Sequence, residues 1–155
     1  AWVNGVSFFS KRFPPSFRIS QSLGDGIVSH GTREWTDYAL DADIMIHLAV
    51  HGGVALRVQG LRRYYDLRIT KAGELQIVRV RDDKEVVLAS KPFEFALEKA
   101  IPVRAKVVGS TIAATVGGVA IEATDDSAEA FRDGGIGLTV REGALSTDVV
   151  KISAA

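Results

Sequence analysis

The chain has 155 residues, a formal net charge of zero and no cysteine. That length is about one domain, large enough to bury a core without staples. Zero net charge argues against a protein whose main task is gripping nucleic acid, no apolar run approaches the ~20 residues of a membrane span, and the missing cysteines exclude disulfides and thiolate metal sites.

The elements are read in chain order. Residues 1–16 carry Trp2, Phe8, Phe9 and Phe13 before Pro14-Pro15. Two prolines cannot sit in a central strand, so an irregular entry segment packed on the domain is expected. From Phe17 the period changes to two, and residues 17–153 read as a single domain. Leu23-Gly24-Asp25-Gly26 reads as a turn, Ile27 to His30 as a short strand and Trp35 to Met45 as a long one. In that long strand Tyr38, Leu40, Ala42 and Ile44 take one phase, and Asp37, Asp41 and Asp43 the other.

Val54, Leu56 and Val58 then face one way while Ala55, Arg57 and Gln59 face the other. After a turn at Gly60 to Arg62, Tyr65, Leu67 and Ile69 alternate with Tyr64, Asp66 and Arg68. Further strands follow around Leu75 to Val80, Val86 to Ala89, Val103 to Val107, Ile112 to Val116, Val119 to Ala123 and Ile136 to Val140. A turn at Glu142-Gly143 and a last strand from Asp148 to Ile152 close the domain. Phe93 to Lys99 and Ser127 to Phe131 are the helical candidates. Many short strands with Gly-rich turns predict an all-β, two-sheet antiparallel jelly-roll sandwich. Its expected core is Leu40, Leu56, Leu67, Ile77, Val107, Ile112, Leu138 and Val150.

Glu34-Trp35-Thr36-Asp37-Tyr38, Gly53 to Gln59 with Tyr64 to Ile69, Val107 to Ile112 with Gly117-Gly118, and Gly134 to Leu138 with Asp148-Val149-Val150 carry a resemblance. Together they resemble the concanavalin A-like lectin/glucanase superfamily, in its laminin G-like and 3-keto-disaccharide-hydrolase-like branches. The chain also resembles the sandwich domain appended to some bacterial ADP-ribosylglycohydrolase-like proteins. That likeness implies a non-catalytic appendage, a carbohydrate or ADP-ribose-like ligand and an attached catalytic domain. The superfamily resemblance implies too that Asp148 helps hold a structural calcium, an ion that prefers oxygen ligands. An Asp accepting backbone N–H bonds at a loop corner is the plainer account of Asp148. A start at Ala1, with Met45 the sole methionine, suggests either a removed leader or a domain excised from a longer protein.

Two sets of residues invite chemistry. Sandwich glycosidases need two carboxylates, one to donate a proton and one to attack or activate water. Asp37, Asp41 and Asp43 alternate suitably but lack a Glu and flanking aromatics, so a solvated acidic face is the simpler account. A glycoside hydrolase acting through Asp37, Asp41 or Asp66 stands as the enzymatic alternative. The second set is Arg57, Gln59, Tyr64, Asp66 and Arg68, expected on one exposed face as a ligand-binding surface. An aromatic plane suits the C–H faces of a sugar, and planar polar groups suit its hydroxyls. A cross-strand ladder of Arg57, Asp66 and Arg68 is the structural alternative. Burial of Tyr64 would favour a pure packing or interaction domain. His47 and His51 lack a third metal ligand nearby, and Asp25 and Asp133 read as turn formers.

Overall fold

A computed structural model describes residues 3–5, 8–12, 16–31, 35–94 and 98–155, with side chains described from residue 21 onward except 22–24, 148 and 149. Strands dominate it: β1 (Val3–Gly5), β2 (Phe8–Arg12), β3 (Ser16–His30), β4 (Tyr38–Leu48), β5 (His51–Gly60) and β6 (Arg63–Thr70). They continue with β7 (Glu74–Arg81), β8 (Lys84–Pro92), β9 (Ala100–Val108), β10 (Thr111–Val116), β11 (Val119–Thr124) and β12 (Gly135–Ala154). No helix among the described residues is long and apolar enough to cross a membrane.

All the ladders are antiparallel, and two long strands belong to both layers. The first half of β12 pairs with β5 and with the end of β3; its second half pairs with β4 and with the start of β3. One layer therefore runs β1-β3-β12-β5-β6-β7-β8, and the other β2-β3-β12-β4-β9-β10-β11. The bend sits at a bulge between Arg141 and Gly143, where Glu142 takes a φ of 49°. A bulge adds one residue to one strand and sharpens its twist, which lets one strand serve two sheets.

The core lies between the layers. Leu40, Leu56, Leu67, Ile77, Val107, Ile112 and Leu138 are all buried in it, and Val150 packs against it partly buried. Strand β9 shows the pattern plainly, with Ile101, Val103, Ala105 and Val107 buried and Pro102, Arg104 and Lys106 exposed. Period-two alternation with one face on the core produces that reading directly.

Several expectations are corrected. The entry segment contains two strands, β1 and β2, which extend the layers at their β3 edges. Its aromatic side chains lie outside the described residues. The expected turn at residues 23–26 is continuous strand in β3, and the expected turn at Glu142-Gly143 is the bulge inside β12. Glycine weakens a strand without forbidding extended backbone, so glycine pairs alone did not mark those turns. Residues 127–131 form a turn and loop rather than a helix, and residues 95–97 of the other helical candidate lie outside the described set.

Candidate functional site

The site is built on the outer face of the β1–β8 layer. Ladder register sets its rows. Arg141 on β12 pairs with Asp25 on β3 and with His51 on β5; Thr139 pairs with Ile27 and Gly53. On the other side of β5, Ala55 pairs with Asp66 and Gly53 with Arg68. Tyr64 pairs with Val80, and Val80 with Glu85. Asp25, Ile27, Leu61, Arg62, Tyr64, Val80, Asp83, Glu85 and Arg141 line a single pocket of about 470 Å³. Strands β3 and β8 are five ladder steps apart, roughly 24 Å on a flat sheet. Their residues share one pocket, so the layer curls into a trough. Gly53, on β5 within this layer, approaches β6 closely: a Cβ there would strike the Leu67 carbonyl oxygen.

That curl explains a face more buried than alternation predicts. Tyr64 is only 4% exposed and packs with Ile27, Ala55, Val58, Val78 and Val80 in a second apolar cluster. Burial pushes its phenol well above the ordinary tyrosine value, and the neighbouring Asp66 carboxylate adds to the shift. Asp66, 1% exposed, accepts bonds from Arg68 Nε (2.9 Å) and Thr139 Oγ1 (2.7 Å). Arg68 also donates to Glu85 Oε2 at 2.9 Å. Burial works against the Arg68 charge, yet the Asp66 and Glu85 carboxylates hold that guanidinium more firmly protonated than usual. At the other wall, Asp25 Oδ1 lies 3.3 Å from both His51 Nε2 and Arg141. The hydrogen bond from His51 keeps the Asp25 carboxyl below the ordinary carboxylate value, against the pull of burial. Both acidic walls are thus braced from behind by neighbours in the sheet.

The five residues expected to form one exposed face separate into two groups. Tyr64, Asp66 and Arg68 do share the outer face, but all three are buried, so the expectation of an exposed ring is corrected. Arg57 and Gln59 leave it. The β5–β6 register breaks between Leu56 and Gly60, and Arg57 takes a φ of 49°. This bulge swings Arg57 to one end of the sandwich, where it donates to Thr36 O, Phe131 O and Asp37. Gln59 follows it and donates to Asp133 at 3.0 Å. A second polar cluster closes the same end: Tyr65 and Arg79 both donate to Asp125, and Phe131 N donates to Tyr65 Oη at 2.9 Å.

Other candidates are scattered. Asp41 and Asp43 are exposed on the opposite layer, Asp41 lying 3.9 Å from Arg104, while Asp37 is taken up by Arg57 and the Gly109 N–H. His47 sits 2.8 Å from both Glu98 and Ser146 on that same opposite layer, away from the trough. The Asp148 side chain lies outside the described residues. The charged trough residues that sequence reasoning missed are Asp25, Arg62, Asp83, Glu85 and Arg141. Arg141 continues the phase of Thr139, which was the available signal. Asp25 between Gly24 and Gly26 looked like a turn.

The opposite layer carries a larger depression of about 560 Å³, floored by Ala39, Ala113 and Ala120 under Arg104 and Lys106. It offers no aromatic ring. Recognition of a small ligand needs fixed polar groups beside an apolar wall, which favours the Tyr64 trough.

The braced carboxylates also predict the stability profile. Asp25 and Asp125 are both held below the ordinary carboxylate value. At Asp125, burial opposes the shift, and bonds from Ser127, Tyr65 and Arg79 overcome it. Groups depressed in the fold contribute stability above their unfolded value near pH 4, and that contribution is lost as pH falls through the folded value. Burial raises Tyr38, to about 12, and raises Tyr64 and Tyr65 as well. Raised phenols contribute below pH ~10 and lose that contribution above it. Urea midpoints measured against pH are expected to be flat between these limits and to fall outside them. A midpoint unchanged at pH 3 would contradict the Asp25 and Asp125 assignments.

No family model matches the chain, and no curated protein matches it by sequence. Solved structures do match. The chain is similar to the carbohydrate-binding module CBM66 from Bacillus subtilis, with TM-score 0.84, 16% identity, and 99% of this chain and 95% of that one covered. It is similar to the xylan β-1,4-xylosidase from Bacillus halodurans C-125, with TM-score 0.62 and 18% identity over 95% of this chain and 34% of that one. It is similar also to the galectin LEC-6 of Caenorhabditis elegans, with TM-score 0.59 and 14% identity over 92% and 98%. At these identities the likeness concerns architecture. The fold is an antiparallel, lectin-like β-sandwich of the kind these structures share.

Proposed function

We propose that this domain is a non-catalytic recognition module for neutral carbohydrate, serving a larger hydrolase. The observation that carries this reading is the trough itself, where the flank of Tyr64 meets Asp25, Glu85 and Arg141 in one pocket. Fixed carboxylates and a guanidinium beside a ring and aliphatic wall match a sugar's hydroxyls and C–H faces. Three neighbours in fold support it: a carbohydrate-binding module, a galectin and a xylosidase. Attachment to a hydrolase is supported by the xylosidase, of which the matching domain is about a third.

The pocket's charge favours a neutral ligand over an ADP-ribose-like one. Asp25, Asp83 and Glu85 set three carboxylates in the pocket against the two guanidiniums of Arg62 and Arg141, and Arg141 is paired with Asp25. A diphosphate calls for cations free to fork onto it. Binding is also favoured over hydrolysis. Asp41 and Asp66 lie on opposite outer faces of the sandwich, so they cannot flank one glycosidic bond. A general acid needs a raised pKa, whereas Asp25 is lowered.

The test is NMR titration against neutral sugars: xylose, glucose, galactose, fructose and their oligomers. Wild type is expected to bind at least one of them in the micromolar to millimolar range, as a small open site should. Asp25→Ala and Arg141→Ala should weaken that binding about tenfold or more while the spectrum stays folded. The burial of Tyr64 favours a second reading, a packing domain with no small ligand. Titrations that move no signal in the trough would establish that reading instead.

A further inference from the structure

Resting on the carbohydrate reading, the geometry points to a second sugar subsite across the β5–β6 hairpin, so we infer that the ligand is a chain of two or more residues. The Tyr64 trough does not end at a closed wall. Its rim is the hairpin tip, Leu61 and Arg62, and both residues also line a second depression of about 500 Å³. The β7–β8 turn divides its two aspartates in the same way: Asp83 faces the trough and Asp82 faces the second depression. Two tips side by side therefore form a low ridge with a hollow on each flank.

The two ion pairs that join the tips differ in kind. Arg63 grips Asp82 through two bonds, Nε to Oδ1 at 3.1 Å and Nη2 to Oδ2 at 2.8 Å. The Asp82 N–H also donates to the Arg62 carbonyl at 2.9 Å, which ties the tips together at the backbone. Arg62 meets Asp83 through a single contact of 3.4 Å, with side chains 72% and 77% exposed. An exposed pair of that kind contributes little to folding, so both groups can turn to sugar hydroxyls at small cost. The forked pair keeps the ridge in place while the looser pair gives way.

Leu61 supplies the remaining element. It is 43% exposed at the crest. An aliphatic side chain between two hollows gives the C–H face of a bridging sugar something to cover. Arg63 and Asp82 line the second hollow beyond the crest, together with Gln59, whose Nε2 is held by Asp133. A chain that leaves the trough over Leu61 would meet this apolar contact first and the polar groups next.

The experiment measures affinity against chain length by calorimetry and NMR, with xylose to xylotetraose and glucose to cellotetraose as probes. Affinity is expected to rise about tenfold from one residue to two or three and then to level off. Leu61→Ala with Arg62→Ala should cost the two- to four-residue probes more affinity than the monosaccharides, so that the rise with length is lost, with chemical-shift changes lost around residues 59–63. Equal affinity for every length would overturn the second subsite and leave the carbohydrate reading standing. So would equal losses for short and long probes in the double variant. Failure of every probe to bind would remove both.

Discussion

Replacing Arg57 by methionine is expected to destabilise the domain by about 3–5 kcal/mol, the range for breaking a buried charge network. Arg57 is 2% exposed, and its guanidinium is an internal clamp. It donates to Thr36 O through Nε (3.1 Å) and Nη2 (2.9 Å), to Phe131 O (3.1 Å), to Gly109 O and to the Asp37 carboxylate (3.2 Å). These acceptors come from the segment before β4, the β9–β10 turn and the segment before β12. Its backbone N–H donates to Tyr38 Oη, and Tyr38 donates to Gly135 O at 2.8 Å. Methionine would fill much of the volume and satisfy none of the carbonyls, leaving that of Phe131 buried without this donor. Urea unfolding read by fluorescence measures the cost. Arg57→Lys restores the charge without the fork, so it should recover only part of the loss. A change below ~1 kcal/mol for the methionine variant would show that the backbone alone holds this end of the sandwich.

The same residue shows how far sequence reading reaches. Alternation placed the strands and named a core of which Leu56, Leu67 and Ile112 are now seen buried, because a half-buried strand writes its face into every second residue. It failed at Arg57 because a bulge adds one residue without changing composition, and every phase assignment between there and Gly60 slips. It failed differently at Asp25. A Gly-Asp-Gly string favours a turn locally, yet pairing with β12 on one side holds it extended through Arg141. The trough could not be read at all. It arises when β3 and β8 are curled toward one another, and curl depends on neighbouring strands rather than on any one of them. Tyr64, Asp66 and Arg68 were placed on the right face, but how deeply that face is buried is a tertiary property.

Loss of the Asp66 carboxylate is expected to be as costly as loss of Arg57, and its effect should reach the trough. In Asp66→Ala, Arg68 would keep its buried guanidinium with only Glu85 as a charged partner, and Glu85 is exposed on one side. Thr139 Oγ1 would lose its acceptor as well. Removing one partner of a buried pair costs about 3–5 kcal/mol, mostly for the charge left behind. The Asp66→Ala/Arg68→Met double variant should therefore be more stable than Asp66→Ala alone, since it removes the uncompensated charge. If the double variant is the less stable of the two, the pair is not the unit described. Binding gives an independent readout. Glu85 lines the trough and is steadied by Arg68, which Asp66 steadies in turn. A variant that keeps the fold but releases this chain, such as Asp66→Asn at low temperature, should weaken sugar binding through Glu85 while the Asp25 wall stays in place. Chemical shifts of Glu85 and Arg141 followed in one titration separate the two walls: Glu85 should lose its response to ligand, and Arg141 should keep it.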